Sequence, residues 1–592
     1  MKPECRPQII MEYPPRAATL DGDRDIMVRG YIHYGLDSQV RFPTGLMING
    51  TPVLPMPGTW AFTFPMTANQ GFNPIVVDVQ DNFDLRDHVV QSFYFSHKWY
   101  PVDVANPQAS MVDDGLMLFL GPEVWDDNDT SDVDDIATIL TMFLKNMDYS
   151  NMIPNPVWKQ SQGFPCYSND YLNVKNLRFG QPSVDLVPVN GGLDLKVILP
   201  NMYADIDGKV CHISGSGKVT ATRVTVSATM LITLDATTGL PKVTLVNVTS
   251  KIDGLNVDLD GVLGFLTNWL INLFEGTIAS QLEEAIKDAI LDIVPTLEEA
   301  LAGLALSQDF DIPPLLPGGE PTSLSLRTKF STITFTPAGG TFGMAATIVA
   351  PRGTPHAPLG SIGRAACLTG GVDPKPVFPV GAPDPKVRPL ELGLHDDLFN
   401  LIPYGMYWGG ALAFPVGAET LGQDLSSYGI TELNMNIDML LPPILSACNP
   451  DSKLMLQIGD LSIFMTMKLF GMPVQMQIYA SLEAAAALAA VQTDTGRELS
   501  IAIETPSFLD LEIASLSGGL VGAEDTLMTL MKDVLLPQVL DSFTGQALGS
   551  FPLPEFDLSG MAPGLPGDMT IELDIAEILR FHAYNVVSGY VK

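Results

Sequence analysis

Leu116-Met117-Leu118-Phe119-Leu120 followed by Val124-Trp125 is matched, gap for gap, by Leu390-Glu391-Leu392-Gly393-Leu394 followed by Leu398-Phe399. In each copy alternate residues share one face of a strand, and the apolar pair that follows opens a helix. Downstream the copies agree again: Phe310-Asp311-Ile312-Pro313 follows one long helical pattern and Phe551-Pro552-Leu553-Pro554 follows another. A chain with this duplication is expected to fold as two related modules, the first enlarged by acidic residues near its first helix. At 592 residues it exceeds what one core supports, and 46% hydrophobic against 17% charged residues supplies large cores.

Residues 538–554 read as an amphipathic helix running into Leu553, held between Pro552 and Pro554. This segment resembles the closing helix and "GFPLP" stretch of the tubular lipid-binding superfamily, which contains bactericidal/permeability-increasing protein, lipopolysaccharide-binding protein and cholesteryl ester transfer protein. Residues 398–412, apolar nearly all round, resemble that family's first helix of the second barrel. The resemblance covers roughly residues 110 to 592. It implies an α+β fold of two pseudo-symmetric elongated barrels, each a curled antiparallel sheet with long amphipathic helices. It also implies non-catalytic lipid binding, with phospholipid or another acyl lipid as ligand, no further cofactor, and carriage between or near membranes.

Before the duplication, short strand-like runs at 26–34, 43–48, 58–65, 73–80 and 91–97 alternate with turn signals such as Asn49-Gly50 and Pro57-Gly58. That spacing predicts an all-β sandwich, similar to the immunoglobulin-like domains of bacterial surface proteins. The expected domains are 1–107 (sandwich), 108–320 (first barrel) and 321–592 (second barrel with central sheet strands), with a break at Pro313-Pro314-Leu315-Leu316-Pro317-Gly318-Gly319. Residues 260–304 keep helical spacing for roughly 65 Å, with Gly276 and Pro295 as expected kinks. Such a helix needs an equally long surface, and the gap between it and a curled sheet would be a tubular pocket. Candidate lipid-binding residues are Leu140, Phe143, Leu266, Trp269, Leu270 and Leu273 in the first module. In the second they are Leu398, Phe399, Leu401, Ile402, Leu527, Leu530 and Met531. Ordinary core packing is the alternative for each, because periodicity does not separate a lining from a filling.

Other signals are weaker. Six aspartates between 126 and 135 miss the EF-hand pattern and suit a helix N-terminus capped by Thr130 or Ser131. Ser214-Gly215-Ser216-Gly217-Lys218 lacks the residues of a phosphate loop and reads as a hairpin turn, as does Asp207-Gly208. Seven scattered histidines show no metal spacing, and no enzyme constellation is readable. Nine prolines in residues 351–389 mark an exposed excursion, a plain surface loop or else a contact for a partner or membrane. A net charge of −35 sets nucleic acid aside and disfavours broad docking on anionic headgroups.

Cys166 with Cys211 resembles the family's disulfide in its first barrel, and Cys367 with Cys448 would be a second; four buried thiols are the alternative. Cys5 is left over, placed where a lipid-modified cysteine could sit. The expected location is extracytoplasmic: the periplasm or outer envelope of a Gram-negative bacterium, or secreted. Possible partners besides lipid are a membrane surface or an envelope protein. The rival reading is a cell-surface structural or adhesive protein with collapsed barrels.

Overall fold

The computed structural model describes residues 6–35, 40–102, 104–131, 133, 135–151, 155–160, 169–210, 212–260, 280, 284, 287–288, 291, 294–312, 321–364, 374–380, 390–417, 426, 429–446, 454–493, 496–518, 527–529, 531–532, 551–552, 556–557, 570–571 and 573–591. The five cysteines, Gly276, and the candidates Leu266, Trp269, Leu270, Leu273 and Leu530 lie outside the described residues.

The first hundred residues form two sheets. One contains Gln8–Tyr13, Asp25–His33 and Ala61–Thr67; the other contains Ala18–Leu20, Arg86–Phe95, Gly71–Asp81, Pro43–Ile48 and Thr51–Pro52. In Asp25–His33 the residues Ile26, Val28, Gly30 and Ile32 point inward while their neighbours face outward, the period-2 signature of a half-buried strand. Val28, Ile32, Ile48, Ile75, Val77 and Phe93 belong to a separate core between these sheets.

Val112–Leu120 and Leu390–His395, the two copies of the repeated strand, pair with each other antiparallel. Leu118 faces Leu392, so equivalent positions meet at the centre, and Leu116 faces Leu394 as Leu120 faces Leu390. Hairpins flank them on either side: Thr322–Thr336 with Gly339–Val349, and Leu573–Phe581 with Tyr584–Val591. With Ser307–Ile312 at one edge, these strands make the seven-stranded central sheet.

Two further antiparallel sheets of long strands contact this sheet, one through Thr322–Thr336 and the other through Leu573–Phe581. The first is built on Gly192–Val210 and Ile213–Leu234, the second on Leu454–Leu469, Met472–Thr493 and Gly496–Gly518. One continuous core links all three sheets, including Leu118, Leu195 and Met465. Among the described residues, α1 (Pro122–Trp125), α2 (Ile136–Asn146), α3 (Val294–Gly303) and α4 (Asp396–Trp408) pack on them.

Several expectations are corrected. The hairpin turn falls between Val210 and Ile213, where His212 has φ 65°, and neither Asp207-Gly208 nor the Ser214–Lys218 segment turns. Gly208 instead pairs with Gly215 inside the ladder, and a Cβ at Gly208 would lie 2.5 Å from the Tyr171 carbonyl oxygen, so glycine there admits a neighbouring strand. The cap of α2 is Asp135, which accepts from the Thr138 N–H at 2.5 Å, and not Thr130 or Ser131.

The two "far ends" also differ. Ser307–Ile312 pairs along six residues with Thr322–Arg327 in the central sheet, whereas Phe551–Pro552 makes two pairings with Glu498 and Leu499 of the second module's sheet. Proline has no N–H to give a ladder, which confines such a segment to a short edge. The proline-rich excursion is pinned in part: Ser361–Ile362 pairs with Trp99–Tyr100, and Phe378 is buried and stacks on Phe119 at 5.7 Å.

Candidate functional site

In the first module α2 and α3 lie over the inner face of the curled sheet. Leu140 and Leu144 stand one turn apart on α2, Val294 and Leu297 on α3, and Val184, Leu195, Val197 and Met230 come from three paired strands. Together they surround a small crevice of about 20 Å3, partly open to solvent, whose lining is apolar. Leu195 and Val197 reach it because alternate residues of their strand face one way. The lining side chains are all apolar, so the wall favours hydrocarbon over polar groups and marks where an acyl chain would enter between helices and sheet.

The acidic stretch before α2 serves this wall. Asp135 caps the helix and also accepts from the Asp127 N–H at 3.0 Å, while Asp126 accepts from the Leu186 N–H at 3.0 Å, tying the loop to the sheet. Burial pushes the Asp135 carboxyl up to about 6, against the Thr138 and Asp127 backbone donors that hold its charged form.

Of the sequence candidates, Leu140 lines the crevice and Phe143 is half-buried against the main core. Leu398, Phe399, Leu401 and Ile402 are buried on α4, and Leu527 and Met531 join the same core. Sequence reasoning missed Leu144, Val184, Leu195, Val197, Met230, Val294 and Leu297 as wall residues. Leu144 could have been found by its i, i+4 spacing from Leu140.

The start of α4 holds a buried knot of charge. Asp396 takes two bonds of 2.5 Å from Arg580, one of 3.2 Å from Arg364 and one of 3.3 Å from Asn585. Asp397 accepts from the Arg364 N–H at 2.7 Å and from the Tyr100 hydroxyl at 3.0 Å, and burial beside that carboxylate raises the Tyr100 pKa. The knot joins the end of the sandwich, the proline-rich excursion, α4 and the hairpin of 573–591.

A second junction seats the sandwich on the outer face of the second module's sheet. A bulge between Ile458 and Leu461, with Asp460 at φ 49°, turns Asp460 outward. Its carboxylate accepts from Arg16 at 2.7 Å, from the Ala17 N–H at 2.9 Å and from the Ser92 N–H at 3.0 Å. Arg16 also donates to Glu512 at 2.7 Å and lies over the Tyr479 ring at 3.9 Å. Gly459 is needed beside it, because a Cβ there would sit 2.6 Å from the Ser92 hydroxyl.

At the end of this junction His88 lies 2.8 Å from Asp78 and 3.4 Å from Asp510, and Lys532 donates to Asp510 at 2.9 Å. Burial opposes the imidazolium, but the carboxylates of Asp510 and Asp78 outweigh it and raise the His88 pKa to about 9. A raised folded-state pKa gives stability that is whole below the unfolded value near 6.5 and is lost as pH rises through 9. Amide exchange of residues 86–95 is therefore expected to be slow and steady from pH 5 to 6.5, after correction for intrinsic rates, and to accelerate toward pH 9. In His88→Asn the corrected profile should be flat over that range; an unchanged profile would rule out this histidine.

Residues 155–303 match the profile described as "LBP / BPI / CETP family, N-terminal domain". No curated protein sequence matches the chain. Among solved structures, a crystal structure of lipopolysaccharide binding protein aligns over 81% of this chain and 99% of its own, at 15% identity and a TM-score of 0.37. P47 of Clostridium botulinum E1 aligns over 84% and 100%, at 10% identity and a TM-score of 0.26. The matched profile spans the long strands of the first curled sheet and α3, so that stretch is similar to the N-terminal domain of the LBP/BPI/CETP family.

Proposed function

We propose that the protein is a non-catalytic binder of acyl lipids that carries them between or near membranes. The apolar crevice between α2, α3 and the curled sheet carries this reading, and the family match over the same module supports it. The symmetric pairing about Leu118 and Leu392 favours two pseudo-symmetric barrels, with a second acyl site between α4, the helical residues near Leu527 and Met531, and the second module's sheet. Each methylene transferred from water to such a wall contributes about 0.8 kcal/mol, while the headgroup stays at the mouth in water.

Mass spectrometry of an organic extract of the purified full chain is expected to return phospholipid or another acyl lipid. Leu140→Trp together with Met230→Trp fills the crevice and should weaken binding of a fluorescent acyl probe roughly 10- to 100-fold, the equivalent of two to three displaced methylenes. An empty extract, with probe binding unchanged in that variant, would sink the carrier and favour a structural or adhesive role.

The compartment that suits this role is extracytoplasmic: periplasm, outer envelope or the secreted medium. There a Cys166–Cys211 bridge is expected, and Cys367–Cys448 as a second. Non-reducing peptide mapping that recovers Cys166 and Cys211 as free thiols would remove this support for that compartment.

A further inference from the structure

At the end of the sandwich farthest from the Ser361–Ile362 pairing, the surface turns apolar. Leu54 is 97% exposed, Met56 and Val40 63%, Phe83 51% and Phe42 46%. They come from three loops that the fold brings together. The Val53 N–H donates to the Leu46 carbonyl at 2.9 Å, which continues the hairpin pairing and sends the chain back toward Phe42. Asn82 and Phe42 exchange bonds of 3.1 Å, placing the Phe83 loop alongside. The 53–60 loop is not free to fold its apolar side chains inward. Met56 donates to Ala61 and Trp60 donates to Met56, both at 2.8 Å, while Val53 and Trp60 are already tucked against the sandwich core. Pro52, Pro55 and Pro57 lower the entropy such a loop loses on docking.

We propose that this end of the sandwich docks on a neutral, zwitterionic lipid surface. Held-out apolar and aromatic side chains suit the boundary between headgroups and acyl chains. The charge pattern selects the kind of surface. No charged residue lies in 53–60, and Arg41 nearby is spent on Asp81 at 2.9 Å and on the Phe83 ring at 4.6 Å, in a chain of net charge −35. An anionic membrane would be repelled and meets, among the described residues of these loops, only Arg41 and the neighbouring Arg86 rather than a cluster of cations.

Position adds a second argument. Along Arg86–Phe95 the contacts step from Gln457 at Tyr94, to Asp460 at Ser92, to Glu512 at Val90 and Asp510 at His88. The strand thus crosses the second module's sheet, and its beginning, with Phe83, overhangs the strand Gly496–Gly518 on the side where Lys532 holds Asp510. A bilayer against these loops lies beside the flank where the helical residues near Met531 meet the sheet.

The inference rests on the lipid-carrier reading but is tested apart from it. In flotation with phosphatidylcholine vesicles the full chain should bind. Leu54→Asp with Met56→Asp, both at exposed positions, should weaken partitioning at least tenfold, and Val187→Asp, an exposed apolar site on the first module, should leave it unchanged. Failure of the wild-type chain to bind, or equal binding by the double variant, would overturn the docking end. Tighter binding on adding phosphatidylglycerol would overturn the neutral-surface assignment, and a Leu54-dependent dimer without vesicles would show that a second copy is the occupant. A chain that retains extracted lipid yet ignores vesicles defeats docking alone; one that floats but yields no lipid defeats carriage alone.

Discussion

Arg16→Ala should loosen the sandwich from the second module at a cost of about 3 kcal/mol, seen as a lower thermal midpoint and faster amide exchange in residues 86–95 and 454–469. Removing one member of a buried ionic network leaves the others uncompensated, typically at about 3–5 kcal/mol. The lower end applies because Arg16 keeps 21% of its side chain in water while Asp460 has none. The Ala17 and Ser92 amides still hold Asp460 and soften the loss. The control is the triple variant Arg16→Met, Asp460→Asn, Glu512→Gln. If stranded charge is the cost, this variant should recover most of the lost stability. A triple variant as unstable as Arg16→Ala would instead assign the effect to the guanidinium's packing on Tyr479.

Asp396→Ala is expected to cost about 4 kcal/mol, in the range for opening a buried ion network. It removes the carboxylate that Arg580 and the almost fully buried Arg364 share and takes a partner from Asn585. The damage should concentrate in the hairpin Leu573–Phe581 and Tyr584–Val591, since Arg580 and Asn585 both come from it. Asp396→Asn keeps an acceptor and should lie between the wild type and alanine. Hydrogen exchange mapped by peptide gives the test: a global loss of midpoint with protection of 573–591 unchanged would mean the knot does not seat that hairpin.

The repeated strand was legible because both its signals are local: alternation over five residues and an apolar pair at a fixed distance. The same holds for Leu140, read from helical spacing. Val184 and Met230 were not legible as wall residues, since which face of a long strand turns inward depends on a register set by its neighbours. Glycine misled at Asp207-Gly208, where the missing side chain serves close packing and not a turn. Both ionic junctions were invisible for a different reason: Arg16 lies 444 positions from Asp460 and 496 from Glu512, and no spacing rule spans such separations. The exposed excursion failed in part because Phe378 finds its partner, Phe119, only once the central sheet exists.

The order of strands in the central sheet also bears on how the chain is made. Val112–Leu120 leaves the ribosome early, yet one of its flanks is covered only by Leu390–His395, whose own far flank waits for Tyr584–Val591. The Tyr584 hydroxyl closes on the carbonyl of Asp114 across 470 residues. Contacts of that separation form late and slowly during synthesis. A chain stopped before residue 584 would hold up the flank of Leu390–His395 as an open edge, the arrangement that invites strand addition from other molecules. The hairpin of 573–591 therefore covers that flank and leaves only the Leu573–Phe581 strand at the edge.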